Sequence, residues 1–315
     1  MIFSLLKKYI VCTALLPFVF ACSDAGDRVN VTDPANEEAY AKYMAGLGNS
    51  SSSNEGGASN CVDTLKQNAI HNSCTDGATA LFNNVSTSYN DVSLTCQNGK
   101  WYATGVEFGS FADERDGQIY KTVKIGEQTW MAENLNYEPK GVPSDVDSVK
   151  GYDWSGCYDS APSNCETYGR LYTWGVVMND SNCTYLDSNE CNPDAKRQGI
   201  CPEGWHVPTD KEFGTLYKTI GDTLWAGQNL KSANDWSSGT KGYDIYGFSV
   251  LPAGFWGLDD ENEVFKFYKG GAYLWSSSQY GSPKAFVWVF IGEEPYVKRI
   301  LFLKAEAASV RCIKD

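Results

Sequence analysis

Three observations predict an α+β chain in which strands dominate. Short runs of β-branched and aromatic residues recur, among them Gly247-Phe248-Ser249-Val250-Leu251, Ala272-Tyr273-Leu274-Trp275, 285–290 and Ala308-Ser309-Val310-Arg311-Cys312. The turn dipeptides Asn98-Gly99 and Gly126-Glu127 separate alternating segments. One segment, 209–220, carries clear helical periodicity. The 315 residues leave room for about two domains and a real core. Lys and Arg total 26 against 39 acids, a net charge of −13, which is the wrong sign for a phosphate-binding surface and argues against a nucleic-acid partner. With 10 Trp, 19 Tyr and 14 Phe the chain is too aromatic to be disordered, and a mean hydropathy of −0.37 is too polar for many membrane spans.

The first apolar run is an address. Lys7 and Lys8 precede the stretch 9–20, too short to span a bilayer as a stable helix, so residues 1–21 read as an export signal. Its end, Val19-Phe20-Ala21-Cys22, resembles the bacterial lipobox, in which a small residue precedes a cysteine that is diacylated and becomes the mature N-terminus; Phe20 is bulkier than that motif prefers. This predicts a lipoprotein anchored through Cys22, with an ordinary secretory signal as the plainer alternative. Cleavage removes two Lys and no acid, leaving a charge of −15. Residues 22–60 form a tether whose 46–57 portion has the Gly/Ser composition of a flexible coil, interrupted by one thin helix that Asp33 caps, Pro34 opens and Gly46 stops.

Residues 61–108 read as a small β module with a hairpin at Asn98-Gly99, between 92–96 and 101–103. A unit of this size buries too little surface to stand unaided, so a disulfide between Cys74 and Cys96 is expected, leaving Cys61 as the odd thiol. Residues 113–315 hold nine of the ten Trp and open with a hairpin, 120–125 and 128–132 around Gly126-Glu127. The helix follows. Thr209 and Glu212 form a capping box, Phe213, Leu216, Tyr217 and Ile220 recur at helical spacing, and Gly221 ends it.

Nine of the eleven cysteines remain after Cys12 and Cys22 are set aside. In an oxidising envelope the pairings with least chain closure are Cys157 with Cys165 and Cys183 with Cys191. A zinc cluster competes poorly, because no Cys-x2-Cys spacing occurs and only His71 and His206 could supply nitrogen.

Several blocks resemble the Fibrobacter succinogenes major paralogous domain: Asp116-Gly117-Gln118-Ile119-Tyr120, 125–137 with Trp130-Met131-Ala132-Glu133-Asn134-Leu135-Asn136-Tyr137, Tyr168-Gly169-Arg170-Leu171-Tyr172, 201–209 around Gly204-Trp205-His206, 247–254, Leu274-Trp275-Ser276-Ser277-Ser278 and Ser309-Val310-Arg311-Cys312. The resemblance covers about 200 residues and implies an exported, surface-associated module without naming a reaction. A more distant similarity, in 205–213 and the terminal Val-Arg-Cys, is to formylglycine-generating-enzyme-type domains. It implies a compact, strand-rich C-type-lectin-like fold with adjacent ends, and it offers a pairing of Cys201 with Cys312. The reactive cysteine pair of those enzymes finds no counterpart in these blocks.

Each candidate site has a plainer role beside it. His206 is a candidate base, but reads better as a packed histidine bonded to backbone. Ser276, Ser277 and Ser278 lack the Gly-x-Ser-x-Gly elbow and read as a strand end. Asp259, Asp260, Glu261 and Glu263 read as a charged loop. Calcium is a candidate ligand of Asn234, Asp235, Asp244 and Asp259, oxygen donors in a loop-rich region, although no twelve-residue calcium loop occurs. Trp130, Trp174, Trp205, Trp275 and Trp288 read as core. Trp154, Trp225, Trp236 and Trp256 are flanked by Gly, Asp, Asn and Ser, which makes them candidates for rings presented on loops to stack on sugar faces, with capping of the core under long loops as the plainer alternative. The expected function is a non-catalytic binding or adhesion module of the outer envelope, for polysaccharide or an envelope protein; the alternative is an enzyme of unassigned reaction on the same scaffold.

Overall fold

The computed structural model describes residues 64–82, 92–145, 153–180, 183, 191, 196–221, 225–237, 241–259 and 262–315. The signal, Cys22, the tether with its helix, and Cys61 lie outside the described residues. Strands predominate throughout the remainder.

The small module supplies β1 (Thr64–Leu65), β2 (Thr79–Phe82), β3 (Val92–Gln97) and β4 (Lys100–Ala103), in that order in one sheet. Asn98 and Gly99, both at positive φ, make the tight turn between β3 and β4. A second sheet follows, from β5 (Glu107–Ala112), β6 (Ile119–Ile125) and β7 (Gln128–Met131). Next come β8 (Ser155–Gly156), α1 (Pro162–Tyr168), β9 (Leu171–Thr173), α2 (Trp174–Met178), β10 (Trp205–His206), α3 (Asp210–Thr219) and α4 (Ala226–Leu230). The chain finishes with β11 (Phe255–Asp259), β12 (Asn262–Lys266), β13 (Gly271–Tyr280), β14 (Lys284–Ile291), β15 (Val297–Leu303), β16 (Ala307–Ala308) and β17 (Ile313–Lys314).

The second sheet has the order β10-β17-β7-β6-β5, so the last strand lies between the first hairpin and the strand before α3. A third sheet runs β12-β11-β16-β9-β8, and β13, β14 and β15 form an antiparallel meander. Side-chain alternation sends successive residues of these sheets into different cores. Val123, Trp130 and Ile313 join Phe213, Leu216 and Phe248 in one core, while Tyr120, Met131 and Trp205 join Tyr172 and Trp174 in another. β13 divides likewise, Ala272 and Leu274 going one way and Tyr273 and Trp275 the other. All five Trp expected in the core are buried.

The capping box forms: Glu212 N–H donates to Thr209 Oγ1 at 3.2 Å, and Thr209 N–H donates to Glu212 Oε2 at 2.8 Å. Phe213, Leu216, Tyr217 and Ile220 are buried below α3. Among the described residues four disulfides are present, Cys74–Cys96, Cys157–Cys165, Cys183–Cys191 and Cys201–Cys312, with Cα–Cα distances of 5.0–6.0 Å; the pairings are those expected above.

Several sequence expectations need correction. The small module does not stand apart: Phe82, Leu94 and Ala103 belong to the same core as Trp130, and Ala103 N–H donates to Ile245 O at 2.6 Å. The second sheet begins at Glu107, ahead of the domain start expected at 113 and the first strand expected at 120, because β5 pairs along its length with β6. The run 247–251 buries Phe248 and Val250 but is not a strand; Ser249 has φ 51°, and the buried Arg311 guanidinium donates to the carbonyls of Phe248 and Ser249. Arg311 Nε also donates to Asn134 Oδ1 at 2.9 Å, so three acceptors hold a cation that no solvent reaches. Asp259 and Glu263, expected in a charged loop, lie in the paired strands β11 and β12, while Asp260 and Glu261 lie outside the described residues. Ser276, Ser277 and Ser278 lie within β13, short of its end.

Candidate ligand-binding cleft

The four loop Trp take up different positions from those their neighbours suggested. Trp154 and Trp256 are 0% and 3% exposed and stack on each other at 5.6 Å, with Tyr158, Tyr168 and Leu171 around them in a third core. β8 carries the chain out of Trp154, and β11 contains Trp256, so the third sheet draws both rings inward. Trp225 is half-buried at the N-cap of α4. Trp236 packs against the first core, its Nε1 donating to Ser232 Oγ at 3.1 Å. Its ring lies 5.1 Å from Lys231 Nζ, an ammonium that burial pushes down to about 8 and that donates to the carbonyls of Ile291, Gly292 and Glu294. No shared aromatic surface results.

The calcium candidates form no metal cluster among the described residues. Asp244 accepts from Ser249 through both carboxylate oxygens, at 2.7 and 2.5 Å, and burial pushes its carboxyl up to about 7 against those bonds. The Asp259 side chain lies outside the described residues, and no three His, Cys, Asp or Glu groups converge as a metal site among those described. His206 is buried as expected, but its partners are acids and not backbone. Nδ1 lies 2.8 Å from Asp315 Oδ1 and Nε2 lies 2.8 Å from Glu212 Oε1. Its role is to tie β10, the start of α3 and the end of β17 together.

An open cleft of about 510 Å³ lies elsewhere, where the turn after β5, the segment after β7, the end of α2 and residues 198–201 meet. It shares Asn179, Gln198 and Gly199 with a smaller hollow of about 280 Å³ that reaches Arg197, so the two form one groove. Arg115 and Tyr137 build one wall, the guanidinium 3.8 Å from the ring centroid. Behind it the fully buried Asp113 accepts from Arg115 Nε at 2.9 Å and Nη2 at 2.6 Å, and Ile200 O accepts from Nη1 at 2.7 Å. Burial alone would raise the Asp113 carboxyl, but the Arg115 hydrogen bonds and charge hold it below the usual range.

The Tyr137 backbone is fixed from two sides. Asn136 N–H donates to Tyr120 Oη at 3.0 Å, and the buried Tyr172 hydroxyl donates to Tyr137 O at 2.8 Å. On the opposite wall Arg197 Nη1 meets Asp180 Oδ2 at 2.6 Å, and Asn179 ends α2 in the left-handed conformation. Gly199, at φ 55°, brings the chain so close to Val177 O that a Cβ there would overlap it. The floor includes Cys201, locked to Cys312.

This set can do specific chemistry. Two arginines are already neutralised by acids and Gln198 Nε2 donates to Cys201 O at 3.1 Å, leaving the Asn179 side chain, the Gln198 amide oxygen, the Lys140 ammonium and the Asp153 carboxylate around a ring face. Such a wall suits a ligand with many hydroxyls and one flat apolar face. The described residues that line it include no histidine, serine or free thiol. Sequence reasoning missed Arg115, Asn179, Asp180 and Gln198; Tyr137 stood in a family block, yet carried no role there.

Among the described residues no helix is long and apolar enough to cross a membrane. A family model, the Fibrobacter succinogenes major domain, matches residues 123–314. No curated protein and no solved structure matches the chain.

Proposed function

The chain belongs to the Fibrobacter succinogenes major domain family, and from that premise we propose that it is a non-catalytic carbohydrate-binding module held at the outer membrane by lipid on Cys22. One observation carries the ligand class: the groove combines the Tyr137 ring, stiffened by Arg115, with amide, ammonium and carboxylate groups whose spacing is set by Asn179, Gln198, Lys140 and Asp153. Aromatic rings cover the apolar face of a sugar while planar polar groups exchange hydrogen bonds with its hydroxyls. An Asp, a Lys and two amides on an open wall suit holding such a chain better than cleaving it.

The finer fold reading is C-type-lectin-like. What supports it is the placement of β17 beside β7, which brings the two ends of the domain into one sheet, and the Cys201–Cys312 bridge that reinforces this closure. The anchor reading rests on Val19-Phe20-Ala21-Cys22.

Affinity electrophoresis on soluble polysaccharides, with and without calcium, tests the cleft. Native protein should be retarded by at least one glycan, and Tyr137→Ala should lose most of that retardation. Equal retardation of the variant would rule out the groove as the site. Cys22→Ala should abolish incorporation of a fatty-acid probe, and persistent labelling would remove the anchor.

A further inference from the structure

We propose that the open edge of the second sheet, β5, pairs with the same edge of a second copy of this chain across a two-fold axis at Ser110. Five of the six β5 residues are exposed, and β6 is its one neighbour in the sheet. Asp113 N–H donates to Gln118 O at 2.8 Å, and bonded pairs recur at every second residue of an antiparallel ladder. Glu107, Gly109 and Phe111 therefore turn their backbone groups toward Lys124, Thr122 and Tyr120. Phe108, Ser110 and Ala112 turn theirs to the open side.

Natural edges are guarded by proline, a bulge, or a charge in mid-strand. β5 has none of these: its register with β6 is unbroken from Glu107 to Ala112, and its one charged residue, Glu107, stands at the end beside Lys124 at 3.3 Å. The edge is thus a ready template for another strand.

Self-pairing fits it in one register. With Ser110 on the axis, Phe108 faces Ala112 of the second copy, and every outward N–H and C=O of the three residues meets a counterpart. Small residues, Gly109 and Ser110, occupy the centre. Phe108, 44% exposed, and Ile119, 71% exposed, lie on one face of the hairpin, because Phe108 pairs with Val123 and Ala112 with Ile119. The Phe108 ring packs edge-on to Tyr102 at 4.6 Å, and in the paired form its exposed part lies toward Ala112 of the second copy, with Ile119 beside it. Glu107 then comes opposite Asp113, but each already has a cation, Lys124 and Arg115. Two five-stranded sheets become one continuous sheet.

Sedimentation velocity on the full chain, with Cys61→Ser to remove thiol cross-linking, tests this over a concentration series. A monomer–dimer equilibrium is expected. Ser110→Pro removes only an outward N–H and leaves the β6 ladder intact, so it should be monomeric with the melting curve of the parent. If that variant does not fold, Phe108→Asp with Ile119→Lys serves instead, with the same expectation. A parent that stays monomeric at its highest soluble concentration, or a folded edge variant that dimerises like the parent, overturns the proposal.

Discussion

Two ring contacts in this molecule look alike on paper and behave in opposite ways. Trp154 and Trp256 are set among Gly, Asp and Ser, yet their stacked rings are sealed in the third core. Tyr137 is likewise set among polar residues, Asn136, Glu138 and Lys140, yet its ring is half-buried on an open groove with Arg115 across it. The polar neighbours of Trp154 shape the turn, while β8 and its pairing with β9 decide where the indole goes. Local composition therefore reports on backbone, and sheet topology decides exposure.

That contrast can be broken experimentally, and the sealed pair offers the strongest lever. Trp154→Ala should cost about 3–5 kcal/mol of stability, the range for emptying a large buried aromatic site. Denaturant unfolding would show this as a lower midpoint. A change under about 1 kcal/mol would mean that the third core tolerates the loss and that the ring is not buried in solution.

A middle effect comes from charge. Burial alone would raise the Glu212 carboxyl, but the hydrogen bonds from His206 and Thr209 outweigh it and hold the group below its ordinary range. A lowered carboxyl contributes stability that is complete above the unfolded value of about 4.3 and is lost as pH falls through the folded value. The native protein should therefore lose stability more steeply in acid than Glu212→Gln, which itself should cost about 1 kcal/mol at neutral pH as a weakened cap. Parallel stability curves for the two proteins below about pH 5 would contradict this.

The smallest stability effect is expected at the cleft. Tyr137→Ala removes a ring on an open wall and its cation–π contact, a loss of under about 1 kcal/mol. Its melting curve should nearly overlay that of the native protein. A loss as large as that of Trp154→Ala would erase the distinction between the two pairs.

What could be read from the sequence follows the range of the causes. The capping box of α3 was legible because Thr209 and Glu212 act within one turn. β13 and β14 were legible because their alternation faces two cores. β5 was not, since Glu107-Phe108-Gly109-Ser110 has little strand character and takes its conformation from β6. Nor was the loss of the 247–251 strand, which depends on Arg311 arriving from the far end of the chain. The groove was least legible of all: Arg115, Tyr137, Asn179 and Gln198 come from separate segments that meet only when β6, β7 and β17 assemble.

The Cys201–Cys312 bridge has a mechanical consequence. Arg115, Tyr137, Lys140, Asn179 and Gln198 all precede Cys201, so tension between a ligand held in the groove and the N-terminal side of the chain never has to travel through the segment between the two cysteines. The bridge closes that segment, a sequence separation of 111, into a covalent loop. The large meander of β13, β14 and β15 hangs beside that path as a buttress, and a protease cut within it would leave both pieces of the molecule joined.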